Sequence, residues 1–387
     1  MSDRPAAASE PDGPGCYVHI PFCARVCPYC DFAVVAGRDD LTDRYFAALL
    51  AEIEMEDSTG PLATVFIGGG TPSRVPAGLI GSVVDRLSDR FGLVKGAEIS
   101  LEANPEDWSH EHAGELAAAG INRVSFGMQS FDDAVLAGLG RLHRADQSRA
   151  VVEQSRAAGM RSVSLDLIFG SPGETIESWA RTIETAIELE PDHVSTYALT
   201  VERGTELSRQ VAAGAPAPDA DDQADKFGLA GTRLTDAGFT HYEVSNFTRP
   251  GHECLYNLNT WAQGDYLAFG VGAHGHRDGV RRRNIRKLDA YLERVERGER
   301  PEAGRETVSG WDRELERVFL GVRRRRGVVA PEVGRLLADD LEAQSLIMAG
   351  KLRVADDRIE VLDPLFTDAV ARVVLGLEQP EEARPGS

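Results

Sequence analysis

Short runs of β-branched and aromatic residues alternate with longer helix-patterned stretches over the first half of the chain, and this alternation limits the fold more than any other feature. The predicted strands are residues 16–20, 64–67, 98–101, 123–126, 162–168 and 193–198. The predicted helices are residues 39–57, 77–90, 109–119, 146–158 and 175–190. Such a β–α alternation is typical of a parallel sheet whose strands are linked by helices.

The boundaries of these segments carry the expected local signals. Ser109 and Thr175 stand at two helix starts, where a hydroxyl can accept a hydrogen bond from the first turn. Residues 68–70, three glycines followed by Thr71 and Pro72, lack the G-x-G-x-x-G spacing of a dinucleotide-binding fold. Six β–α units are too few to close a (β/α)8 barrel, so we predict an open three-quarter barrel of the (β/α)6 type.

The residues at the carboxyl ends of the predicted strands are rich in glycine or polar, and the chemistry of parallel barrels gathers at that edge. Residues 68–70 follow the second strand, where bare glycine backbone allows the close approach of a ligand or, alternatively, only a tight turn. Glu102 follows the third strand, and a buried carboxylate is costly unless a ligand or a cation pairs with it. Gln129 and Asp166 follow the next two strands. We therefore expect a ligand site at this edge.

Three of the five cysteines, Cys23, Cys27 and Cys30, form a CxxxCxxC cluster just after the first predicted strand. Iron–sulfur cubes are usually held by four cysteines, so three leave one iron of a [4Fe–4S] cluster open to a small molecule. S-adenosylmethionine, which carries an amino and a carboxylate group, suits such an iron. The alternatives are a structural zinc site or a group of reduced thiols. Zinc sites usually pair two CxxC motifs, and the sequence has no second pair.

The cysteine segment resembles the opening of radical SAM enzymes of the HemN/HemW group, on residues 17–23 (YVHIPFC) and 27–32 (CPYCDF). The resemblance extends to about residue 375 and implies a radical SAM barrel with a [4Fe–4S] cluster and S-adenosylmethionine. The group contains oxygen-independent coproporphyrinogen III dehydrogenases and heme chaperones. The dehydrogenases have a further cysteine two residues after the third ligand, where this chain has Phe32. The resemblance therefore favours the chaperone branch.

The resemblance also implies the cofactor-binding positions, and it assigns no catalytic residue. These positions match residues with which the dehydrogenase contacts two S-adenosylmethionine molecules: Tyr17, Tyr29, Gly69, Gly70, Thr71, Glu102, Gln129, Arg141, Asp166 and Ala198. By this resemblance the glycines hold the methionine end of the ligand, and Asp166 and Gln129 bond to its ribose and amino groups. Arg141 is expected to pair with the carboxylate. Whether a second molecule binds here is left open.

Candidate heme ligands follow from the same resemblance. In the chaperone relatives the stretch corresponding to residues 254–261 reads Cys-x-His-Asn-x-x-Tyr-Trp, but here Tyr256 replaces the histidine and Thr260 the tyrosine. Tyrosine is itself a heme ligand in some proteins. Tyr256, His274 and His276 are therefore the candidates, although a histidine in a turn is often only structural. The basic run 281–283 is a candidate partner for heme propionates, and its alternative is a solvated face.

We divide the chain into four parts. Residues 1–15 are expected to be a disordered tail, 16–250 the partial barrel, 251–305 a connecting segment, and 306–387 a winged-helix-like α+β domain. The last part is inferred from helix patterns that precede a hairpin centred on Asp356 and Asp357. Winged helices often bind DNA, but a formal net charge of −20 argues against nucleic acid as a partner.

Composition and the resemblance together predict the setting of the function. No segment reaches the ~18 apolar residues of a membrane span, and the N-terminus lacks the pattern of a signal peptide. Cysteine usage does not suggest disulfides, so we predict a cytoplasmic protein. The resemblance implies heme or porphyrin as ligand, and heme-acceptor proteins, respiratory enzymes of membranes among them, as partners.

The predicted function is a heme chaperone that binds heme, a [4Fe–4S] cluster and S-adenosylmethionine and delivers heme to acceptors. The first alternative is an oxygen-independent coproporphyrinogen III dehydrogenase of porphyrin biosynthesis, and the second is a radical SAM enzyme with another substrate. The Phe32 position favours the chaperone, whereas Tyr256 weighs against it. The resemblance therefore does not decide whether the radical SAM scaffold has kept an enzymatic activity.

Overall fold

A computed structural model describes residues 11–379 of the chain. Its strands are β1 Gly15–Ile20, β2 Phe22–Cys23, β3 Val35–Ala36, β4 Leu62–Gly69, β5 Leu93–Ala103, β6 Arg123–Gln129, β7 Ser162–Phe169, β8 His193–Ala198, β9 Thr240–Glu243, β10 Asn246–Thr248, β11 Tyr266–Phe269, β12 His274–Arg277, β13 Val280–Asn284, β14 Glu302–Thr307, β15 Val328–Val329, β16 Leu352–Ala355 and β17 Arg358–Val361. Its α-helices are α1 Thr42–Glu54, α2 Ala77–Phe91, α3 His110–Ala118, α4 Asp133–Gly138, α5 Ser148–Ala157, α6 Ile176–Glu188, α7 Glu206–Ala212, α8 Ala220–Asp236, α9 Leu255–Trp261, α10 Leu288–Glu296, α11 Gly310–Gly321, α12 Pro331–Asp339, α13 Leu341–Met348 and α14 Thr367–Leu375. Short 3-10 helices lie at Asp39–Leu41, Pro72–Arg74, Pro105–Asp107, Ala145–Gln147 and Pro364–Phe366.

The predicted parallel barrel is present and is open. In the described part of the chain the main sheet has twelve strands in the order β14-β13-β12-β11-β1-β4-β5-β6-β7-β8-β10-β9. Its six central strands, from β1 to β8, are all parallel, with one helical connection or more between neighbours. The sheet ends at β14 and β9 and does not close on itself. This confirms the three-quarter barrel expected from six β–α units.

Each predicted strand and helix of the barrel is found, and the differences lie at the ends. The sequence pattern misses the start of β5, which begins at Leu93, because Lys95 and Gly96 interrupt its apolar alternation. Ser109 and Thr175 cap α3 and α6 as expected, accepting hydrogen bonds from the N–H groups of His112 and Ser178. The local signals therefore placed the helix starts correctly.

Alternate residues of the parallel strands face the surrounding helices and form the main apolar core. Cys16, Val18 and Ile20 of β1 are fully buried there, in the same core as Leu49 and Ile53 of α1. The same outward phase in the other strands is occupied by Val65, Ile67, Ile99, Leu101, Val124, Phe126, Val163, Leu165 and Val194. Each buried aliphatic side chain of this size stabilises the fold by about 1.5–3 kcal/mol.

The opposite phase of the strands faces the inside of the barrel and is largely polar. In the ladder Glu102 lies beside Ser125, and Ser125 beside Ser164. Asp166 lies beside Ser195 in the next pair of strands. Hydroxyl side chains are small, so the upper interior is not filled by the layers of large branched residues that close an ordinary (β/α)8 barrel. The small side chains that face inward therefore leave room for a ligand.

The segment expected to connect the two parts of the chain, residues 251–305, contributes strands to the main sheet. After α9, strand β11 pairs in parallel with β1, and β12, β13 and β14 continue the sheet as antiparallel strands. The sequence pattern hides them because β12 and β13 read His274-Gly-His-Arg and Val280-Arg-Arg-Arg-Asn, with little apolar alternation. At the other edge, β9 and β10 form a hairpin, and β10 pairs antiparallel with β8.

The C-terminal residues form a separate apolar core around a three-stranded sheet in the order β15-β17-β16. Helices α11 to α14 pack on this sheet, which agrees with the expected α+β domain. The turn of its hairpin holds Asp356 and Asp357, both with φ above +20°. The outer ends of the proposed terminal parts, residues 1–10 and 380–387, lie outside the described residues. Within residues 11–379 no helix has the length and apolar character needed to cross a bilayer.

A buried carboxyl group ties α1 to the far side of the sheet. Glu52 accepts hydrogen bonds from the hydroxyl of Tyr291 at 2.6 Å and from the N–H of Gly270 at 2.8 Å, and it also contacts the amide of Asn284. Burial raises the pKa of Glu52 to about 7, against the opposing effect of these donors. The folded chain therefore holds a proton here at pH values where the unfolded chain does not.

We expect Glu52→Gln to change the pH dependence of stability. Between about pH 4.3 and 7 the folded state binds a proton that the unfolded state lacks, so the free energy of unfolding falls as pH rises through this window. Relative to the variant, the wild type should gain about 2 kcal/mol between pH 8 and pH 5. Urea unfolding over this pH range measures the difference, with Glu54→Gln on the exposed face of α1 as control. Parallel pH curves for wild type and Glu52→Gln would contradict the assignment.

Candidate functional site

A cavity of about 530 Å³ opens where the six parallel strands end. The carboxyl ends of successive strands lie around it, as the sequence predicts, because parallel strands bring these ends to the same edge. Of the predicted site residues it is lined by Cys23, Cys27, Cys30, Tyr29, Gly69, Gly70, Thr71, Glu102, Gln129, Arg141, Asp166 and Ala198. Of the ten predicted cofactor-binding residues, Tyr17 alone does not line it. Their binding roles stay predictions.

The cysteines occupy a loop whose two ends are held together by the short parallel pair β2 and β3. The Thr71 hydroxyl lies 3.6 Å from the sulfur of Cys23, and the Arg141 guanidinium lies 3.7 Å from that of Cys27. Burial raises the pKa of the Cys23 thiol to about 11 and also raises that of Cys30. These thiols are therefore protonated until a metal displaces the proton.

The three sulfurs surround a space and do not converge on a point. Among residues 11–379, no three Cys, His, Asp or Glu side chains are arranged to hold one metal ion. A [4Fe–4S] cube has no need of such convergence, because each thiolate binds a different iron. Three thiols facing one cavity, with a guanidinium beside one of them, are a donor set that fits a cube with one open iron.

The glycines after β4 bring bare backbone against the cysteine loop. The N–H of Gly69 donates to Glu102 Oε2 at 2.9 Å, and the N–H groups of Gly70 and Thr71 donate to backbone carbonyls of Ile20 and Phe22. A Cβ on Gly70 would lie 2.8–2.9 Å from backbone atoms of residues 20–22. Position 70 therefore has room for glycine only, and the segment after β4 is held against residues 20–22.

Glu102 and Asp166 place two carboxyl groups inside the cavity wall. Burial raises the pKa of Glu102 to about 7, with the Gly69 N–H opposing the shift and the charge of Asp166 adding to it. Burial also raises the pKa of Asp166, and hydrogen bonds from Ser195 and Ser125 oppose that shift. The Ser125 hydroxyl lies 2.9 Å from both oxygens of Asp166. The cavity thus offers hydrogen-bond acceptors to a ligand that carries donors.

Arg141 is held by neighbours that the sequence analysis did not select. Its guanidinium donates to the carbonyl of Gly127 at 2.9 Å and to the side chain of Asn104, which in turn donates to Thr71. The Nε of Arg141 is buried without a protein partner, so it can still donate to an anionic group. Beside it Gln129 has a φ of 62°, a strained backbone that often marks a ligand site.

A second cavity, of about 330 Å³, lies beside the first, and Phe32 lines both. It holds Tyr17 and two of the three heme candidates, Tyr256 and His274. The ring of Tyr256 lies 5.1 Å from that of Phe66 and 6.3 Å from that of Tyr17. The remaining wall includes His19, Asp31, Ala33, Tyr266, Gly272 and Arg286. The cavity is therefore a mainly aromatic space with one arginine.

His276 lies apart from the other two heme candidates, and two arginines of the run 281–283 are paired within the chain. His276 is 5 % exposed and its Nδ1 lies 3.1 Å from the carbonyl of Gly264, away from the second cavity. Arg281 and Arg282 form ion pairs with glutamates, among them Glu316 at 2.5 Å and Glu56 at 3.5 Å. These two arginines therefore have partners within the chain.

Sequence reasoning missed several residues of the two cavities. Ser125 faces inward in the same strand phase as Gly127 and Gln129, so strict two-residue alternation along β6 would have found it. Asn104 directly follows Glu102 and Ala103 and could have been added by the same rule. Arg286 lies in the turn after β13, and only the folded structure brings it to the second cavity.

We expect Gly70→Ala to displace the cysteine loop. The new methyl group must push apart backbone atoms of β4 and residues 20–22, which should cost about 2 kcal/mol of unfolding free energy and lower the iron content after reconstitution. Gly78→Ala in α2 is the control, because a Cβ there meets no atom within 4 Å. Thermal unfolding and iron analysis of both variants test this. Wild-type stability and iron content in Gly70→Ala would contradict the close approach.

Comparison with known proteins assigns the chain to a family. The radical SAM superfamily model matches residues 17–186. A protein named heme chaperone HemW from Mycobacterium tuberculosis is 39 % identical over 97 % of this chain and 98 % of its own length. The HemW of Bacillus subtilis is 34 % identical, over 81 % and 84 % of the two chains.

A solved structure extends the comparison to the fold. Coproporphyrinogen III oxidase (HemN) of Escherichia coli superposes with a TM-score of 0.83 over 95 % of this chain and 91 % of its own. Its sequence identity is 23 %, so this match supports the fold alone. The family model, the sequence relatives and the fold agree with one another. The chain belongs to the radical SAM HemW/HemN family.

Proposed function

We propose that the protein is a heme chaperone of the HemW type, which holds a [4Fe–4S] cluster and S-adenosylmethionine in the first cavity, binds heme and passes it to acceptor proteins. The observation that carries this proposal is the pairing of the two cavities: a cavity with three thiols lies beside one that is mainly aromatic. The names of the sequence relatives support the same function.

The residues of the first cavity have distinct roles in this proposal. Cys23, Cys27 and Cys30 hold three irons of the cluster, and a reduced cluster of this kind supplies an electron to bound S-adenosylmethionine. Gly69 and Gly70 present bare backbone to the cavity for the methionine end, and the free Nε of Arg141 is available to the ligand carboxylate. The carboxyl groups of Glu102 and Asp166 accept hydrogen bonds from amino or hydroxyl groups of the ligand.

Phe32 favours a chaperone over a dehydrogenase. The dehydrogenases that this segment resembles carry a cysteine at this position, whereas here an aromatic ring, 62 % exposed, stands at the border of the two cavities. A phenyl ring provides neither a ligand nor a redox group. It does provide an apolar surface for a flat macrocycle, which supports heme as the cargo.

Heme fits the second cavity by its chemistry. The rings of Tyr17, Phe66 and Tyr256 offer aromatic contacts to the macrocycle, and the cavity is open to solvent, so a larger ligand can extend out of it. Propionates need cations, and Arg283 and Arg286 have no carboxylate within 4 Å in the described part of the chain, unlike Arg281 and Arg282. These two arginines replace the full run 281–283 as the candidate propionate partners.

Two side chains of this region are candidates for the heme iron. Tyr256 and His274 line the same cavity. Burial, together with the charges of Arg283 and Arg286, lowers the pKa of His274, so its imidazole is neutral and has a free lone pair at neutral pH. We therefore favour His274 with Tyr256 as its alternative, and the proposal leaves out His276.

We expect Cys23→Ala, Cys27→Ala and Cys30→Ala each to lose the cluster, because a thiolate is removed from a set that already lacks a fourth. Cys16→Ala and Cys254→Ala should keep it, since both of these thiols are buried outside the cavity. Iron and sulfide content and visible absorption after anaerobic reconstitution are the measurements. An intact cluster in Cys27→Ala, or its loss in a folded Cys254→Ala, would refute the ligand set.

We expect the protein to bind hemin with a saturable Soret change, and His274→Ala to weaken this binding by about tenfold or more because an iron ligand is lost. Tyr256→Phe should have a similar effect only if tyrosine is the ligand, so the pair separates the two candidates. His110→Ala on the exposed face of α3 is the control. The same preparation, reduced and supplied with S-adenosylmethionine, should leave coproporphyrinogen III unchanged.

The opposite pattern would identify the alternative function. If hemin showed no saturable binding while coproporphyrinogen III was converted to protoporphyrinogen IX, the protein would be a dehydrogenase and not a chaperone. Delivery is tested separately by mixing the heme-loaded protein with an apo-hemoprotein and following the Soret band of the acceptor. Retention of heme by the donor would argue against the chaperone role.

A further inference from the structure

A continuous row of hydrogen bonds runs from the start of α9 through the inside of the barrel to Asp166. The backbone nitrogen of Cys254 lies 3.2 Å from Tyr242 Oη, and that oxygen lies 2.9 Å from His193 Nε2. His193 Nδ1 lies 2.8 Å from Ser164 Oγ. That hydroxyl in turn lies 3.5 Å from Asp166 Oδ1. His193 and Ser164 are buried, whereas Asp166 reaches the cluster cavity.

One direction of this row gives every group in it a partner. In that direction the Tyr242 oxygen accepts from the N–H of Cys254 and directs its own hydrogen to His193 Nε2. Burial, with the charges of Arg123 and His252, lowers the pKa of His193 well below its usual value, so the imidazole is neutral. With Nε2 as acceptor, its single hydrogen is on Nδ1 and is donated to Ser164. The Ser164 hydroxyl hydrogen is then directed at Asp166.

Asp166 receives its other hydrogen bonds from two hydroxyl groups, of which Ser125 lines the cavity and Ser195 is buried. Ser125 lies 2.9 Å from both of its oxygens, and Ser195 also donates to it. Ser164 differs from these two donors because its orientation is fixed from outside the cavity, by a histidine whose tautomer depends on a tyrosine. A reversed His193 tautomer would draw the Ser164 hydrogen away from Asp166.

We propose that His193 and Tyr242 are positioning residues for the ligand of the cluster cavity: they fix the Ser164 hydroxyl on Asp166 and so keep that carboxylate oriented to accept hydrogen bonds from the ribose of S-adenosylmethionine. The inference rests on the proposed binding of S-adenosylmethionine in this cavity. It assigns a role to a buried histidine and a partly buried tyrosine that do not line the cavity.

A pair of amide substitutions separates positioning from simple packing. In His193→Asn the side-chain amide nitrogen takes the place of Nδ1 and can still donate to Ser164, whereas in His193→Gln it takes the place of Nε2 and cannot. Tyr242→Phe removes the group that fixes the tautomer. Tyr291→Phe is the matched control, because it too removes a tyrosine hydroxyl that makes a hydrogen bond inside the fold, in this case to the carboxyl group of Glu52.

Calorimetric titration of the reconstituted protein with S-adenosylmethionine is the first measurement. We expect His193→Gln and Tyr242→Phe to bind about tenfold more weakly than the wild type, the effect of one lost hydrogen bond to a charged group. His193→Asn and Tyr291→Phe should bind within about twofold of the wild type. Thermal unfolding of each variant confirms that it is folded. A packing role alone predicts that Asn and Gln at position 193 weaken binding equally, and that result would overturn the inference.

The tautomer itself is the second measurement and needs no ligand. In protein with ¹⁵N-labelled histidine, His193 should show a protonated Nδ1 and an unprotonated Nε2, and Tyr242→Phe should reduce that tautomer. A wild-type His193 that is protonated at Nε2 would overturn the inference even if S-adenosylmethionine binds. Absence of S-adenosylmethionine binding in the wild type would instead overturn the proposed function and, with it, this role.

Discussion

The parallel register of the six central strands is the constraint on which the site depends. Because every strand runs in the same direction, each carboxyl end reaches the same edge, and the cysteine loop, the glycines and both carboxyl groups meet there. The alternation of side chains along each strand then gives its two faces different roles. One phase is apolar and packs on the helices, and the other carries hydroxyl and carboxyl groups into the interior.

The polar interior connects features that are far apart in the sequence. Glu98, 1 % exposed in the middle of β5, accepts the N–H of Leu255 at 2.9 Å and so anchors the start of α9 inside the barrel. The same helix places Tyr256 at the second cavity. Cys254, the residue before the helix, begins the row of hydrogen bonds to Asp166. Helix α9 therefore contributes Tyr256 to the second cavity, and its start is hydrogen-bonded to groups inside the barrel, a use that its sequence alone does not reveal.

Much of the barrel and of the first cavity was predictable, for identifiable physical reasons. Strand phase and chain direction are local properties, so Gly69, Glu102 and Asp166 could be placed at one edge before the fold was known. The resemblance predicts Tyr17 at the first cavity, but it lines the second cavity, because its position in β1 lies beside Phe66 and below the cysteine loop. The strands β12 to β14 were not found, because strands rich in arginine lack apolar alternation and owe their structure to pairing with one another, and the four-residue β11, Tyr266–Phe269, owes its structure to pairing with β1. Contacts of that kind have no local signal.

The open form of the barrel has a consequence for association. A sheet that does not close presents two outer strands with unpaired backbone groups, which are templates for pairing with another chain. At β14 the edge carries Glu302, Arg305 and Glu306, and such charges discourage a second strand. At the other edge the C-terminal domain covers β9, since Glu243 bridges to Arg324 and the N–H of Arg325 donates to the carbonyl of Tyr242. Whatever else the C-terminal domain does, it protects this half-open sheet from edge-to-edge aggregation.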